Sequence, residues 1–209
     1  MFSDLKKEEK ENRRRLIVAT AEELFREDGL DGLTLRNVAR RIGVAPGTIY
    51  TYFKNKEELL LHVLSNNLDL LEDGLDAGLK LPDPVSCLSA IAGEYRQYFL
   101  RLGRYVNVID FLTKSRESTA EVSPLLLDEI RDKVAGLLKK VEARIAADDM
   151  RPLIKELPPS RAVAVLWAMV QGITALTLPT MIDEDQGWFH FDQLLNDMLY
   201  LLPHHSDIS

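Results

Sequence analysis

The sequence predicts an all-α fold of about nine helices, with a three-helix domain at the amino terminus and a larger helical bundle after it. Apolar residues recur at three- and four-residue spacing along most of the 209-residue chain. Glycine and proline stand where these periodic runs stop, as expected at helix ends. No segment is a credible strand. We place the two domains at residues 1–56 and 57–209.

The three helices of the first domain are predicted from their end signals. Helix one is expected over about residues 12–28, with Gly29 ending it. Thr34 is placed to cap helix two, and Gly43 stands where that helix needs a left-handed residue to stop. Pro46 suits the first position of helix three. Two short helices joined by a glycine turn form a helix-turn-helix, a motif that binds duplex DNA.

The helices of the bundle are predicted from caps, prolines and apolar stripes. Asn55 can cap helix four, with Glu58 completing a capping box, and this helix should continue to a stop at Pro82. Ser123-Pro124 is a strong start signal for a long seventh helix. The fifth, sixth, eighth and ninth helices are expected at about residues 84–102, 105–116, 161–178 and 191–202.

Charge is distributed unevenly between the two predicted domains. The net charge of −7 argues by itself against a general nucleic-acid binder. However, residues 1–56 carry 12 Lys and Arg against 9 Asp and Glu, whereas residues 57–209 carry 14 against 24. A small cationic domain joined to a larger acidic domain is typical of a protein in which the first domain binds DNA and the second has another role. The basic clusters between Lys6 and Arg15 are equally well explained as a solvated charge run.

Several other classes of protein find no support in the sequence. The single cysteine, Cys87, excludes an intramolecular disulfide and fits a reducing cytoplasm. The four histidines form no metal-ligand pattern, so we expect no metal and no cofactor. No phosphate-binding glycine loop or nucleophile elbow is present, so we expect no enzyme. Residues 162–182 lack charge but contain several polar residues and Pro179, so we interpret them as a buried helix rather than a membrane span.

The exposed face of helix three is the candidate DNA-binding surface. Gly47 lets the backbone approach a base pair closely, and Thr48 can donate, accept or contact a thymine methyl group. Tyr50, Tyr52 and Thr34 are placed to donate hydrogen bonds to phosphates, which fix register without reading sequence. The remaining candidates for DNA contact are Arg36, Arg40, Pro46, Thr51, Lys54 and Lys56. The alternative is that Tyr50 and Tyr52 only cover the small core.

Residues 21–60, AEELFREDGLDGLTLRNVARRIGVAPGTIYTYFKNKEELL, resemble the amino-terminal domain of the TetR/AcrR family of transcriptional regulators. The matching elements include the loop from Gly29 to Thr34 and the run Gly47-Thr48-Ile49-Tyr50 followed by Tyr52-Phe53. The resemblance implies base and phosphate contacts from the same positions of helix three. One departure is Ala45, because the family often has a serine there that would cap the helix and could touch a phosphate.

Helix eight separates small and bulky side chains onto different faces. The bulky side would fill the chain's own domain, whereas the small side would let another helix approach closely. With the apolar last helix, this arrangement predicts a four-helix dimer interface of two-fold symmetry. Its candidate residues are Ala164, Ala168, Gly172, Ala175, Leu194, Leu195 and Met198. The family commonly dimerises through its last two long helices. The alternative is that the small stripe packs within one chain.

Aromatic residues concentrate in the second domain. Ordinary packing accounts for any single one, but together with nearby polar residues they favour a mostly apolar ligand pocket, an expectation that depends mainly on the resemblance. Its candidate residues are Tyr95, Tyr98, Phe99, Arg104, Asn107, Phe111, Trp167 and Gln171. We expect a small hydrophobic effector, of aromatic or acyl character.

Together these patterns and the resemblance to the TetR/AcrR family predict a cytoplasmic, homodimeric and ligand-responsive transcriptional repressor. It would bind a palindromic double-stranded DNA operator and leave it when the effector binds. Two alternatives stay open: a transcriptional activator or ligand-independent DNA-binding protein, and a helical adaptor or enzyme that carries a vestigial DNA-reading domain. A reporter assay with candidate effectors separates the first alternative from the repressor, and a gel shift on the chain's own upstream region tests the second.

Overall fold

A computed structural model of the chain describes residues 2–102, 123–154, 157–177 and 190–201. Within these ranges it contains α-helices, one short 3-10 helix (Asp148–Met150) and no strand, which confirms the all-α fold class. The helices are α1 (Phe2–Gly32), α2 (Leu35–Ile42), α3 (Pro46–Tyr50), α4 (Lys56–Gly78), α5 (Pro84–Leu102), α6 (Pro124–Ile145), α7 (Arg151–Ile154), α8 (Pro159–Leu176) and α9 (Phe191–Leu201). The helix expected over residues 105–116 lies outside the described residues.

The described residues divide into two compact units. The first contains residues 2–68 together with 101–102 and 123–133, and the second contains residues 69–100 together with the described residues from 134 onward. α4 contributes residues to both units. The domain boundary between residues 56 and 57 stays a prediction.

α1 begins at Phe2, about ten residues before its predicted start. Two ion pairs at four-residue spacing support the extra turns, Arg13 with Glu9 (2.5 Å) and Arg15 with Glu11 (3.8 Å). In both, the glutamate stands on the amino-terminal side, which is the more stabilising order. At the other end Gly29, with φ of 67°, interrupts the helix where the sequence predicts a break.

The core of the first unit joins the first four helices. Its fully buried apolar side chains come from every one of them and from the segments between. They include Ala21, Leu33, Val38, Ala39, Ile49, Phe53, Leu59, Leu61 and Val63. α3 has only five residues, so its position depends on these tertiary contacts rather than on intrinsic helix stability.

The start of α4 confirms its predicted cap with one difference. The backbone N–H of Glu58 donates to the Asn55 side chain at 2.8 Å. The Glu58 carboxylate accepts from the backbone N–H of Lys54 at 2.8 Å, one residue before the partner that a capping box predicts. α4 ends at Gly78, so it stops before Pro82.

The second unit is held by two apolar clusters. The first cluster joins α5, α8 and α9 through Leu88, Ala92, Val170, Phe191, Leu195 and Leu199. The second joins α6, α7 and α8 through Ile145, Ile154, Ala162 and Val163. The 3-10 helix and α7 were not predicted from the sequence, because they are too short to show a periodic pattern. Among the described helices, none combines the length and the apolar character that a membrane span requires.

Candidate nucleic-acid interface

The turn between α2 and α3 is fixed by caps at both ends of α2. The Thr34 hydroxyl accepts from the backbone N–H of Asn37 at 3.1 Å, as the sequence predicts for an N-cap. The Asn37 amide donates to the Gly32 carbonyl at 2.9 Å. At the other end Gly43 adopts the left-handed conformation (φ 82°, ψ 32°), and its N–H donates to the Ala39 carbonyl at 3.0 Å. The end of α2 and the turn that follows it are therefore fixed at a defined residue.

α3 presents its polar residues to solvent and buries two anchors. Pro46 occupies the first position, as predicted, and Ala45 supplies no side-chain cap. Ile49 and Phe53 are 1% and 0% exposed, so they fix the helix on the core. Gly47 lies on the open side, where an added Cβ would meet no atom within 4 Å.

The predicted DNA-contacting residues gather around this open side of α3. Thr48, Tyr50 and Thr51 are exposed, whereas Tyr52 and Thr34 are half-buried. The Thr51 hydroxyl donates to the Thr48 carbonyl at 2.7 Å, which leaves its oxygen able to accept a further bond. The basic candidates Arg36, Arg40 and Lys54 are also exposed. Their role in DNA binding stays a prediction.

Lys56 has a structural partner as well as its predicted phosphate contact. Its ammonium group donates to the backbone carbonyl of Leu30, near the interruption of α1 at Gly29. A lysine has three N–H donors, so this bond leaves donors for a phosphate. Lys56 therefore links the start of α4 to the end of α1.

Two arginines of α1 contact the end of α3, and the sequence did not identify either. Arg13 lies close enough to Tyr52 and to its ion-pair partner Glu9 for both side chains to raise the pKa of its guanidinium group. Arg14 lies over the ring of Phe53, 4.7 Å from the ring centroid, and is hydrogen-bonded to His62 Nε2. Sequence periodicity alone could not show which face of an extended α1 meets α3.

His62 is held neutral inside the first unit. Burial, followed by the positive charge of Arg14, lowers its pKa from 6.5 to about 4. Its ring packs edge-on against Phe53, with 5.5 Å between ring centroids. A neutral imidazole can accept the hydrogen bond from Arg14, so the histidine orients an arginine beside the candidate surface.

The aromatic residues of the second unit form one cluster around Tyr95. The ring of Tyr95 lies 6.3 Å from Tyr98, 6.5 Å from Phe99 and 6.4 Å from Trp167, centroid to centroid. Burial raises the pKa of the Tyr95 hydroxyl. Among the described residues, the buried Trp167 Nε1 makes no hydrogen bond of normal geometry, although Trp167 lies close enough to Tyr95 to oppose the effect of burial on the Tyr95 pKa. Gln171 is half-buried, and the other pocket candidates, Arg104, Asn107 and Phe111, lie outside the described residues.

α8 exposes most of its small residues, but the small and bulky residues are not separated as completely as the sequence predicts. Val163 and Val170 are buried, whereas Ala164, Ala168 and Gly172 are exposed and Ala175 is half-buried. Three larger apolar side chains share the exposed part of the helix, namely Val165, Met169 and Leu176, at 44%, 42% and 52% exposure. These three were not among the predicted interface residues.

The residues of α9 have a different environment from the one predicted for a dimer interface. Leu195 is buried in the chain's own core at 5% exposure, because its side of α9 packs against α5 and α8. Leu194 and Met198 are half-buried, and Met198 packs against the same cluster. The chain's own core therefore covers Leu195, one of the residues that the sequence predicts at a dimer interface.

Three comparisons relate the chain to known proteins. The family model described as "Bacterial regulatory proteins, tetR family" matches residues 17–63. An HTH-type transcriptional regulator of Staphylococcus aureus strain USA300 is 36% identical over 66 residues, which is 32% of this chain and 35% of that protein. The chain thus matches about a third of the length of this curated relative, over the part that contains the helix-turn-helix.

Solved structures match almost the whole chain. A transcriptional regulator of the TetR/AcrR family from Thermobifida fusca is 25% identical with a TM-score of 0.65, over 91% of this chain and 96% of that one. AibR, in complex with isovaleryl coenzyme A and operator DNA, is 22% identical with a TM-score of 0.65, over 92% of this chain and 100% of that one. The second of these similarities shows the fold alone.

Proposed function

Because this chain belongs to the TetR/AcrR family of transcriptional regulators, we propose that it is a cytoplasmic, homodimeric repressor. The dimer would bind a palindromic operator, and a small, mostly apolar effector would release it from the DNA. The observation that carries the DNA-binding part is the open side of α3. There an added Cβ at Gly47 would meet no atom within 4 Å, and the hydroxyl side chains of Thr48, Tyr50 and the following Thr51 are exposed, whereas Ile49 on the other side of α3 is buried. Such a helix fits the major groove of B-DNA.

Selection of bound sites from random duplexes tests this proposal. A two-fold symmetric dimer should enrich palindromes whose half-sites lie about one helical turn apart, roughly 34–36 Å, or a multiple of that distance. Enrichment of a symmetric sequence supports the proposal. Recovery of no preferred sequence, with purified folded protein in dilute buffer, contradicts it.

Two substitutions test which residues of the interface contact bases and which contact phosphates. Thr48→Ala should change sequence preference at one base position, because Thr48 is proposed to contact a base edge. Lys56→Ala should weaken binding to all sequences and reduce the salt dependence by about one unit of slope, because Lys56 is proposed to contact a phosphate. Both variants are measured by fluorescence anisotropy on operator and random duplexes at several salt concentrations. Identical effects of the two substitutions on both duplexes would contradict the assignment.

Thermal melting separates the two roles of Lys56. The loss of the bond to the Leu30 carbonyl lowers stability, whereas the loss of a phosphate contact lowers only DNA affinity. Lys80→Ala, at an exposed lysine of the second unit, is the matched control that should change neither quantity.

For the homodimer, the exposed face of α8 supports the proposal. It combines small residues, which allow a close helix approach, with the larger apolar residues Val165, Met169 and Leu176. Ala168→Arg should produce monomers in sedimentation experiments, because a long charged side chain blocks that approach. Ala77→Arg, at an exposed alanine of α4, is the control that should leave the dimer intact. A wild-type monomer at micromolar concentration would contradict the dimer.

For the effector, the cluster of Tyr95, Tyr98, Phe99 and Trp167 supports a mostly apolar ligand. AibR was solved with isovaleryl coenzyme A, an acyl compound, which makes acyl thioesters the first class to screen. Binding should stabilise the protein in thermal shift and lower operator affinity. Trp167→Phe should weaken binding of any ligand that accepts a hydrogen bond from the indole N–H. Compounds that stabilise the protein without changing DNA affinity would contradict the effector role.

The effector can release the operator only if it binds the DNA-binding conformation of the protein more weakly than a second conformation that does not bind DNA. α4 is the proposed mechanical link, because this single helix contains residues of both units. A reporter gene under the selected operator should be silent with the protein and active when the effector is added. Higher expression with the protein alone would indicate an activator instead.

A further inference from the structure

The first three turns of α1 carry basic residues along one row. Lys6, Lys10 and Arg13 follow each other at spacings of four and three residues, so they lie above one another on the helix. The row continues at this spacing into buried residues of the first unit, Ile17, Ala21 and Leu24. Glu8 and Glu11 lie on the opposite side of the helix. We refer to Lys6, Lys10 and Arg13 as the basic row.

The basic row borders the candidate DNA-binding surface. Its last member, Arg13, lies close to Tyr52, which is itself a candidate phosphate contact. The next residue, Arg14, lies over Phe53, the anchor at the end of α3. Lys6 and Lys10 are exposed and stand up to seven residues before Arg13, about 10 Å along the helix axis. The row therefore meets this surface at Arg13 and continues from there along the first turns of α1.

We propose that the basic row binds the phosphate backbone of DNA outside the part contacted by the helix-turn-helix. This proposal rests on the proposed DNA-binding function and deepens it. Duplex DNA carries about one negative charge per 1.7 Å of axis, so a cationic row of this length meets several phosphates. In the free protein Glu9 pairs with Arg13, and both side chains are more than half exposed. Exchange of this carboxylate for a phosphate costs little, because exposed ion pairs are weak.

Two double variants test the proposal. Lys6→Gln/Lys10→Gln removes two charges from the row and keeps good helix formers. Lys80→Gln/Lys139→Gln removes the same charge from exposed positions of the second unit. The slope of log affinity against log salt, measured on the selected operator, should fall by about 1.8 in the first variant and stay unchanged in the second. Between 50 and 200 mM salt, wild-type binding should then weaken about twelvefold more than that of the first variant.

Two single variants test the same row without removing a lysine. Glu9→Gln releases Arg13, whereas Glu11→Gln releases Arg15 on the opposite side of α1. Each removes one negative charge and one ion pair at four-residue spacing. Only Glu9→Gln should strengthen operator binding beyond the general effect of the charge change. Equal effects of Glu9→Gln and Glu11→Gln would overturn the proposal.

The possible results separate the basic row from the proposed function. If the wild-type protein binds the operator and both double variants keep its salt slope, the basic row is refuted and DNA binding by α3 stands. If both double variants lose slope equally, net charge explains the effect and the row is again refuted. If the wild-type protein binds no duplex, the proposed function fails and the row fails with it. Circular dichroism of each variant confirms that α1 keeps its helical content.

Discussion

The candidate DNA-binding surface and the faces of α8 are positioned in different ways. α3 has five residues, and its place is set by end signals within a few residues and by two buried side chains, Ile49 and Phe53. α8 has 18 residues and takes its place from helices far away in sequence, as when Val170 packs in one cluster with Phe191. A surface positioned by local signals can be predicted from sequence, whereas a surface positioned by distant packing requires the structure.

The largest expected effect comes from removing one phenylalanine from each unit. Phe53 and Phe191 are both buried, and each lies under an arginine, at 4.7 Å and 4.9 Å from the ring centroid. Phe53→Ala and Phe191→Ala should each cost about 3–5 kcal/mol of stability. Hydrogen exchange should show lost protection in α2 and α3 for the first variant, and in α8 and α9 for the second. Equal loss throughout the chain in both variants would show that the two units unfold as one.

A smaller effect is expected from acid. The folded-state pKa of His62 is about 4, below its ordinary value of 6.5, so the unfolded chain takes up the proton more readily. The contribution of neutral His62 is therefore complete above pH 6.5 and is lost as the pH falls toward 4. Urea unfolding should show a loss of up to about 2 kcal/mol between pH 7 and pH 5 from this group. His62→Gln should remove that part of the pH dependence, and an unchanged pH dependence in the variant would rule out His62 as its source.

A third prediction uses two glycines of the helix-turn-helix as a matched pair. Gly43→Ala should cost roughly 1–2 kcal/mol, because the φ of 82° strains any L-residue although space is available for its Cβ. Gly47→Ala should leave stability unchanged or raise it by about 1 kcal/mol, because alanine favours a helix and meets no neighbour. The same Gly47→Ala variant should weaken operator binding if the backbone approaches a base pair. Melting temperature and operator affinity are measured on both variants. The prediction requires Gly43→Ala to lower the melting temperature, and Gly47→Ala to lower operator affinity without lowering the melting temperature.

The smallest effect is expected at the start of α3. Ala45 has the extended conformation of an N-cap residue (φ −65°, ψ 140°) but offers no side-chain acceptor. Ala45→Ser should therefore raise stability by about 0.5–1 kcal/mol, and Thr34→Ala should cost about 1 kcal/mol at the corresponding cap of α2. Chemical denaturation of the two variants measures both values. If Ala45→Ser does not raise the stability of the protein, then the stability of α3 depends on its buried residues Ile49 and Phe53 and not on its N-cap.

The local signals of the first unit were predicted well. Gly29 as a break, Thr34 as a cap, Gly43 as a left-handed residue and Pro46 as a first helical position are all confirmed. Each depends on backbone geometry that one residue type favours strongly, so one sequence is enough to predict it. The start of α1 was wrong because its first turns have no apolar stripe and are supported by ion pairs instead.

The distant contacts were not predicted. Arg13 appeared as part of a charge run, and only the structure brings it to Tyr52. Leu195 has the same apolar character as its neighbours on α9, so the sequence could not tell which of them the chain's own core covers. Such choices depend on the angle at which two helices pack, and that angle is set by the side chains of both helices, so the apolar stripe of one helix does not determine it.

The shortness of α3 limits how DNA specificity can be re-engineered in this protein. A synthetic peptide of five residues would not stay helical in water, so the recognition sequence cannot be transplanted alone. When this recognition segment is grafted onto another protein, the buried residues Ile49 and Phe53 must be kept, and only the solvent-facing positions around Gly47 can be varied. A portable segment must also include Arg14, which lies over Phe53 and contacts His62, so it has to begin before the matched residues 17–63.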